Sequence, residues 1–273
     1  LRIAINGFGR IGRLVVRAVA EYGMKDVQIV GINSPGAFDT QVHLLKYDTV
    51  HGRFPGTLKI GDGSIDFGAG PIRITHERNP ADIDWKSLDV DVVMECSGIF
   101  RSKEAVQGHL KAGAKQVLIS APGQNVDKTI VYGVNEGDLT ADDLVVSCAS
   151  CTTNCLAPVA KVLMESVGIR RGFMTTIHAY TLDQNILDSS HKDLYRTRAA
   201  AQNMIPTSTG AAKAVGLVLP ELLGKLHGSA VRVPTANVSM VDLAFQPDAI
   251  GKRGGDALRA RHVEPAAQRE NGP

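Results

Sequence analysis

The sequence lacks several features that would point to a special class of protein. Aromatic residues make up only 5% of its 273 residues, and the formal net charge is +2. A nearly balanced charge gives no basis for binding to nucleic acid or to a membrane surface. The sequence shows no apolar run long enough to cross a bilayer, no secretory leader and no lipidation motif. We therefore expect a cytoplasmic protein that binds neither nucleic acid nor membrane.

Cysteine is scarce, and its distribution is uneven. Four cysteines in a chain of this length are too few for a disulfide framework. Cys148, Cys151 and Cys155 lie close together, with spacings similar to those of zinc or cluster ligands. Such sites usually need a loop and a fourth ligand, whereas Cys148 would end a strand and the other two lie on a predicted helix. We therefore expect no metal site, and the thiol cluster calls for another chemical explanation.

The first half of the chain alternates short apolar runs with amphipathic stretches. Strands are predicted over 1–6, 27–32, 90–96 and 116–120, and helices over 10–22 and 103–112. This alternation is typical of an α/β fold with a parallel sheet covered by helices. The glycine-rich and proline-containing residues 36–80 are expected to form loops and short antiparallel strands.

The pattern changes after residue 150. A helix is predicted over 151–167, and strands over 173–180 and 238–245. Their alternating apolar residues are typical of an antiparallel layer with one covered face, so residues 151–245 are expected to form an α+β domain. Residues 246–273 contain no aromatic residue and few large apolar ones. That composition predicts a disordered tail.

A glycine-rich turn follows the first strand. Gly7, Gly9 and Gly12 fit the pattern G-x-G-x-x-G between a predicted strand and a predicted helix. In this context the glycines permit a tight turn and let backbone amides approach a pyrophosphate at the helix N-terminus. The alternative is a turn that only packs the strand on the helix. We predict that residues 1–150 form a dinucleotide-binding Rossmann domain.

The end of the second strand bears on the choice of dinucleotide. A carboxylate that binds the adenine ribose is expected there, but the sequence has Asn33 and Ser34. Serine keeps a hydroxyl group and removes the negative charge that would repel a 2′-phosphate. No Arg or Lys lies close in sequence to bind that phosphate. The sequence therefore predicts tolerance of NADP as well as NAD.

A thiol stands at the start of the predicted helix over 151–167. Unpaired amides and the positive end of the helix dipole stabilise a thiolate at Cys151, whereas Cys155 lies one turn further on and is expected to be a small buried residue. A thiol nucleophile also needs a base. His178, at the end of a predicted strand, is a candidate, although a strand histidine taken alone is more often a structural core residue.

Several segments, in order between Ile5 and Phe245, closely resemble the glyceraldehyde-3-phosphate dehydrogenase family. They are INGFGRIGR, HLLKYDTVHG, SCASCTTNCLAP, TTIHAYT, IPTSTGAAKAV and RVPTANVSMVDL. The resemblance implies that Cys151 is the nucleophile and His178 the base that activates it. It also implies that residues 151–245 belong to the catalytic domain of that family.

The resemblance implies two sets of binding residues, in which arginines and neighbouring hydroxyls suit a phosphate. The residues implied to bind the dinucleotide are Asn6, Gly7, Phe8, Gly9, Arg10, Ile11, Gly12, Asn33, Ser34, Arg78, Ser97, Gly98 and Ser120. The residues implied to bind the substrate and inorganic phosphates are Ser150, Thr152, Thr181, Asp183, Arg196, Thr209, Gly210 and Arg232.

The implied reaction is oxidation of glyceraldehyde 3-phosphate, with NAD or NADP and inorganic phosphate, to 1,3-bisphosphoglycerate through a thioester. Residues 182–203 resemble a loop that the family packs across a subunit interface, so a homotetramer is implied. Two alternatives stay open. One is erythrose-4-phosphate dehydrogenase, whose stretch corresponding to STGAAKA usually differs. The other is a catalytically impaired dinucleotide-binding fragment.

The resemblance stops near Phe245. Family members continue through further strands and helices, and that part supplies an asparagine that holds the nicotinamide carboxamide. We therefore expect a chain that is truncated or frameshifted after about Phe245, with an incomplete catalytic domain. Low stability and weakened positioning of the nicotinamide would follow, because apolar faces and a sheet edge would be exposed.

The Asn33-Ser34 sequence yields a prediction about cofactor choice. Because no carboxylate repels a 2′-phosphate, catalytic efficiency with NADP should approach that with NAD. Steady-state kinetics with both dinucleotides would test this, and a strong preference for NAD would contradict it.

Overall fold

The computed structural model describes residues 1–248 and 259–263. The chain forms two compact units. The first contains Leu1–Ile130 and Gly137–Ser150, and the second contains Val131–Glu136 and the chain from Cys151 onward. Among the described residues, no helix is both long enough and apolar enough to cross a bilayer.

The first unit is built on a sheet that is mostly parallel. The strands of the first unit are β1 Arg2–Asn6, β2 Gln28–Asn33, β3 Tyr47–Asp48, β4 Gly52–Arg53, β5 Lys59–Gly61, β6 Ser64–Asp66, β7 Ile72–Thr75, β8 Val92–Glu95, β9 Gln116–Ile119, β10 Lys128–Thr129 and β11 Val145–Ser147. The sheet order is β10-β11-β9-β8-β1-β2-β7-β6-β5, and β3 pairs separately with β4. From β10 to β7 the neighbouring strands run parallel, whereas β6 and β5 join antiparallel. The predicted α/β, Rossmann-type architecture is confirmed.

The helices of the first unit are α1 Arg10–Glu21, α2 Phe38–Lys46 and α3 Gln107–Lys111, and a 3-10 helix spans Pro80–Asp82. The expectation of loops and short antiparallel strands over residues 36–80 holds for the pairs β3–β4, β5–β6 and β6–β7, but it misses α2 and the parallel pairing of β7 with β2. Helix α2 buries Gln41 together with Val42 and Leu45. A glutamine on the buried face weakens the apolar periodicity from which a helix is predicted.

Both faces of this sheet are covered by apolar side chains. Ile5 and Ile32 belong to one buried cluster, and Val93 and Trp85 belong to another. This double coverage explains why the strands are nearly continuous apolar runs. Because β1, β2 and β8 are parallel, their last residues lie at the same edge of the sheet.

The longest helix among the described residues of the second unit is α4 Cys151–Val167, which has the predicted bounds. The other elements of this unit are the strands β12 Arg171–Ala179, β13 Ile205–Thr207, β14 Leu226–Val233, β15 Met240–Gln246 and β16 Arg259–Val263, the helix α5 Ala211–Val218, and 3-10 helices at Leu194–Thr197 and Pro220–Leu222. A further 3-10 helix, Glu136–Asp138, lies where the chain passes between the two units. Within the described residues the sheet order is β13-β14-β12-β15-β16.

The prediction of an antiparallel second sheet is only half correct. β12 pairs antiparallel with β15 but parallel with β14, a strand that the sequence analysis did not identify. The apolar pattern of β14 is interrupted by Gly228, Ser229 and Arg232. The parallel pair β12–β14 matters for the site, because it sets His178 directly opposite Arg232.

Part of the predicted disordered tail can be compared with the structure. Arg259–Val263 form β16, which pairs antiparallel with β15. Pairing with a neighbouring strand gives the backbone groups at the edge of β15 hydrogen-bond partners. Residues 249–258 and 264–273 of that tail lie outside the described residues.

Candidate active site

The three glycines of the turn in the first unit differ in the space around them. Gly7 has φ of 92°, and a Cβ added there would lie 2.4 Å from the backbone nitrogen of Ser97. A Cβ added at Gly12 would lie 2.2 Å from the Gly7 carbonyl oxygen, whereas one at Gly9 would meet no atom within 4 Å. The first and third glycines therefore permit tight packing, and the second leaves the backbone open to a ligand.

This turn fits a dinucleotide pyrophosphate. It leads directly into α1, whose N-cap is Gly9 and whose N-terminus has no side-chain cap. The first amides of a helix have no partner within the helix, and the positive end of the dipole favours an anion there. Arg10, Ile11 and Gly12 would therefore present backbone N–H groups to the phosphates.

Arg10 is held by a neighbouring carboxylate that the sequence analysis did not identify. Its guanidinium lies 2.9 Å from the Asp48 carboxylate. Burial alone would raise the pKa of Asp48, but the backbone N–H groups of His51 and Val50 and the Arg10 guanidinium lower it to about 2. Asp48 is thus charged at neutral pH and fixes Arg10 beside the turn.

The end of β2 presents no free carboxylate. Asn33 is buried, and its side-chain amide donates to Asn6 Oδ1 at 2.8 Å. The Ser34 hydroxyl accepts from the Gln41 amide at 2.6 Å and keeps its own proton available for donation. This geometry agrees with the absence of a charge that would repel a 2′-phosphate.

The remaining residues implied for dinucleotide binding occupy different environments. Phe8 is buried, Ile11 and Arg78 are exposed, and Ser120 is half-buried. Gly98 has φ of 73° in the turn after β8. Asn6, Asn33 and Ser97 come together at the carboxyl edge of the sheet, whereas Arg78 projects from the segment that follows β7.

In the second unit the predicted nucleophile and base meet. Cys151 is the first residue of α4 and is exposed, and His178 lies near the end of β12 with 9% of its surface exposed. The Cys151 Sγ atom lies 3.3 Å from His178 Nε2. The pKa of Cys151 is lowered, and the main cause is its hydrogen bond with His178. Burial of the thiol acts in the opposite direction. The charge of His178 and hydrogen bonds with the Thr152 hydroxyl and amide lower the pKa further.

The three other cysteines lie in different environments from Cys151. Burial is the main cause that raises the pKa of Cys96, to about 12, and burial also raises the pKa of Cys148. Cys155 lies on α4 and is half-buried. Among the residues that the structure describes, no group of three or more His, Cys, Asp or Glu side chains could hold a metal ion.

The second nitrogen of His178 faces a carbonyl and a guanidinium. Nδ1 lies 2.7 Å from the Ala179 carbonyl oxygen and 2.7 Å from Arg232 Nη1, and that Nη1 also donates to the same carbonyl at 3.0 Å. A guanidinium only donates, so Nδ1 either accepts from Arg232 Nη1 or, when Nη1 donates to the Ala179 carbonyl instead, carries the proton and donates to that carbonyl itself. Arg232 therefore borders the pair formed by Cys151 and His178.

Two guanidinium groups of this unit suit an anion. Arg232 Nε is buried and has no hydrogen-bond partner among the described residues. Burial and then the charge of Arg196 lower the pKa of Arg232, so the two cations repel each other. Arg196 is paired with Asp183 and, through Nε at 3.3 Å, with Asp193. An anion placed beside Arg232 would supply the missing acceptor.

The other residues implied for phosphate binding lie at the ends of elements. Thr152 is in the first turn of α4, and Ser150 is the residue immediately before that helix. Thr181 follows β12, and Thr209 and Gly210 come just before α5. The Thr209 hydroxyl accepts the backbone N–H of Ala211 at 3.1 Å, which fixes the start of that helix.

The lowered pKa of Cys151 predicts selective alkylation. Near neutral pH, iodoacetamide should react with Cys151 before Cys96 and Cys148, and the rate should fall as the pH drops through the lowered pKa. His178→Asn removes the main cause of the shift. It should therefore move the pH profile to higher pH and slow alkylation near neutral pH by about tenfold or more, since each pKa unit changes the thiolate fraction about tenfold.

Mass spectrometry of alkylated peptides across a pH series would measure these rates. His227→Asn is the matched control, because His227 is an exposed histidine on β14. Its substitution should leave the Cys151 profile unchanged. An unshifted profile in the His178 variant would show that the contact does not activate the thiol.

Comparison with known proteins bears on the identity of this site. A family model described as the NAD binding domain of glyceraldehyde 3-phosphate dehydrogenase matches residues 1–103, and one described as its C-terminal domain matches residues 150–252. The glyceraldehyde-3-phosphate dehydrogenase of Xanthobacter flavus is 62% identical over 245 residues, which is 90% of this chain and 73% of the relative. The Cereibacter sphaeroides protein of the same name is 63% identical over 246 residues, with the same two coverages.

A third relative, from Pseudomonas aeruginosa and of the same name, is 57% identical over 247 residues, which is 90% of this chain and 74% of the relative. These matches span both units and include the cysteine and histidine segments. The chain belongs to the glyceraldehyde-3-phosphate dehydrogenase family.

Proposed function

We propose that the chain oxidises glyceraldehyde 3-phosphate with NAD or NADP and inorganic phosphate, and yields 1,3-bisphosphoglycerate through a thioester on Cys151. The observation that carries this proposal is the 3.3 Å contact between Cys151 Sγ and His178 Nε2 at the start of α4. Identity with relatives named for this activity does not favour erythrose-4-phosphate dehydrogenase or an impaired fragment.

The chemistry begins at the thiolate. His178 Nε2 takes the Cys151 thiol proton, and Sγ attacks the aldehyde carbon. The developing oxyanion, stabilised by a donor such as the Cys151 backbone N–H, takes that proton from His178 to give the hemithioacetal. His178 then takes the hydroxyl proton as the carbon loses its hydride, which leaves a thioester. When bound, the nicotinamide ring supplies the hydride acceptor. An oxygen of inorganic phosphate attacks the thioester carbon and releases the Cys151 thiolate and the acyl phosphate.

The dinucleotide belongs on the glycine turn. The open backbone at Gly9 and the uncapped N-terminus of α1 fit a pyrophosphate there. Asn6, Phe8, Ser97, Gly98, Arg78 and Ser120 would complete that site. Ser34, without a neighbouring charge, would leave room for either NAD or NADP.

The phosphates belong beside the two arginines. Arg232, with its buried and unpartnered Nε, would bind one phosphate close to His178. Arg196 would serve the other phosphate, and Asp183 would orient its guanidinium. The residues that would supply the remaining donors are Ser150, Thr152, Thr181, Thr209 and Gly210.

The exposed side chains of residues 182–203 are consistent with a surface for self-association. Large apolar side chains are strongly exposed there, including Leu182 at 89%, Ile186 at 84% and Leu194 at 81%. Such a concentration of exposed apolar side chains marks an interaction surface. We propose a homo-oligomer, a tetramer by resemblance to the family. The free state of all four cysteines suits the cytoplasm.

The proposed activity predicts a phosphate-dependent reaction. The purified chain should reduce NAD or NADP when glyceraldehyde 3-phosphate and inorganic phosphate are both present, and the rate can be followed as absorbance of the reduced dinucleotide. Cys151→Ser should lower the turnover rate by at least about 10³-fold, because it removes the nucleophile. Cys155→Ser, on the same helix one turn later, is the matched control and should retain activity.

Loss of activity in both variants would point to a disturbed helix, which circular dichroism would reveal. Turnover that survives Cys151→Ser, or that needs no phosphate, would contradict the proposed function.

A further inference from the structure

A buried carboxylate lies beneath the glycine turn. Glu95 ends β8 and has 1% of its surface exposed. Its Oε1 accepts the Ser97 backbone N–H at 2.7 Å and the Ser97 hydroxyl. Its Oε2 accepts the Asn6 side-chain amide at 2.6 Å and lies 3.1 Å from His109 Nε2. Four donors thus converge on one carboxylate.

The proton on His109 is placed by Trp85. His109 Nδ1 lies 3.0 Å from Trp85 Nε1, and both side chains are buried. An indole N–H can only donate, so His109 Nδ1 must accept and Nε2 must carry the proton. His109 therefore donates through Nε2 to the Glu95 carboxylate.

The same chain of hydrogen bonds extends across the sheet edge. Asn6 Oδ1 accepts from Asn33 Nδ2 at 2.8 Å. Asn33 Oδ1 accepts from the Thr75 hydroxyl at 2.9 Å and from the Glu77 backbone N–H at 2.8 Å. Every donor in this series points toward Glu95, so the series links the carboxyl ends of β8, β1, β2 and β7.

The backbone of the proposed dinucleotide site rests on this group. Gly7 packs so closely on Ser97 that a Cβ would lie 2.4 Å from the Ser97 nitrogen, and the Gly7 N–H donates to the Asn33 carbonyl at 2.8 Å. Glu95 accepts the N–H of that same Ser97 nitrogen. A charged acceptor forms stronger hydrogen bonds than a neutral one, and an amide would direct an N–H against two donors.

We propose that Glu95 is a positioning residue for the dinucleotide, supported by His109 and Trp85, and that it acts through Ser97 and Asn6. This inference depends on the dinucleotide-binding part of the proposed function. Glu95 fixes the spacing between the turn after β1 and the turn after β8, so that both present their backbone groups to one ligand.

A matched control lies at the opposite edge of the same strands. Asp91 precedes β8 and accepts the Arg2 backbone N–H at 2.8 Å and the Lys115 ammonium group at 2.7 Å. Asp91→Asn therefore disturbs a carboxylate that joins β1 and β8 but is remote from the glycine turn. A purely structural role for Glu95 predicts similar effects of Glu95→Gln and Asp91→Asn on dinucleotide affinity.

Calorimetric titration of the full chain with NAD and with NADP would separate the two roles. Glu95→Gln should weaken binding by about tenfold or more, equivalent to losing one charge-assisted hydrogen bond, whereas Asp91→Asn should stay within about twofold. Cys151 alkylation without dinucleotide should be unchanged in both variants.

A second pair of variants decides the matter even if Glu95→Gln does not fold. Glutamine at position 109 offers one donor for Glu95 and one acceptor for Trp85, whereas leucine offers neither. His109→Gln should therefore bind the dinucleotide nearly as the wild type does, and His109→Leu should bind it about tenfold more weakly. Because Trp85 is the single tryptophan, its indole N–H resonance reports whether this pairing survives.

The outcomes are distinguishable. This inference alone would be overturned if the wild type binds dinucleotide and Glu95→Gln binds it equally tightly. It would also be overturned if His109→Gln and His109→Leu weaken binding equally. A wild-type chain that binds neither NAD nor NADP would overturn the dinucleotide-binding part of the proposed function and this inference with it.

Discussion

The contact between Cys151 Sγ and His178 Nε2 is the interaction on which the proposed chemistry of this chain depends. It requires the first residue of α4 and the end of β12 to meet, and the parallel pairing of β12 with β14 brings Arg232 to the same place. The pKa of the Cys151 thiol is lowered chiefly by its hydrogen bond with His178, at a helix N-terminus. Sheet register thus brings together the proposed nucleophile, its proposed base and a cation that suits a phosphate.

The first unit depends on a different constraint, which is close approach of backbone to backbone. Gly7 and Gly12 allow contacts that a Cβ would forbid, and Gly9 leaves space open above the turn. Beneath it, Glu95 accepts four donors and is shielded from water. A buried anion with every lone pair engaged is rigid, because each alternative arrangement leaves a donor or an acceptor unpaired.

Local patterns in the sequence predicted much of this architecture. The glycine turn and α4 follow from spacing and apolar periodicity, which are local properties, and the proposed reactivity of Cys151 rests on its place at the start of that helix. β14 was missed because glycine, serine and arginine interrupt its apolar pattern, and α2 was missed because Gln41 lies on its buried face. The partners of Glu95 could not be predicted, because hydrogen bonds between residues distant in sequence depend on the sheet order.

The most direct test of the account is a single-turnover reaction without inorganic phosphate. Mixing the chain with glyceraldehyde 3-phosphate and dinucleotide should release one equivalent of reduced dinucleotide and leave an acyl group on Cys151 that peptide mass spectrometry detects. Added phosphate should then remove that group as an acyl phosphate. An adduct on another residue, or continued turnover without phosphate and without an adduct, would contradict the thioester mechanism.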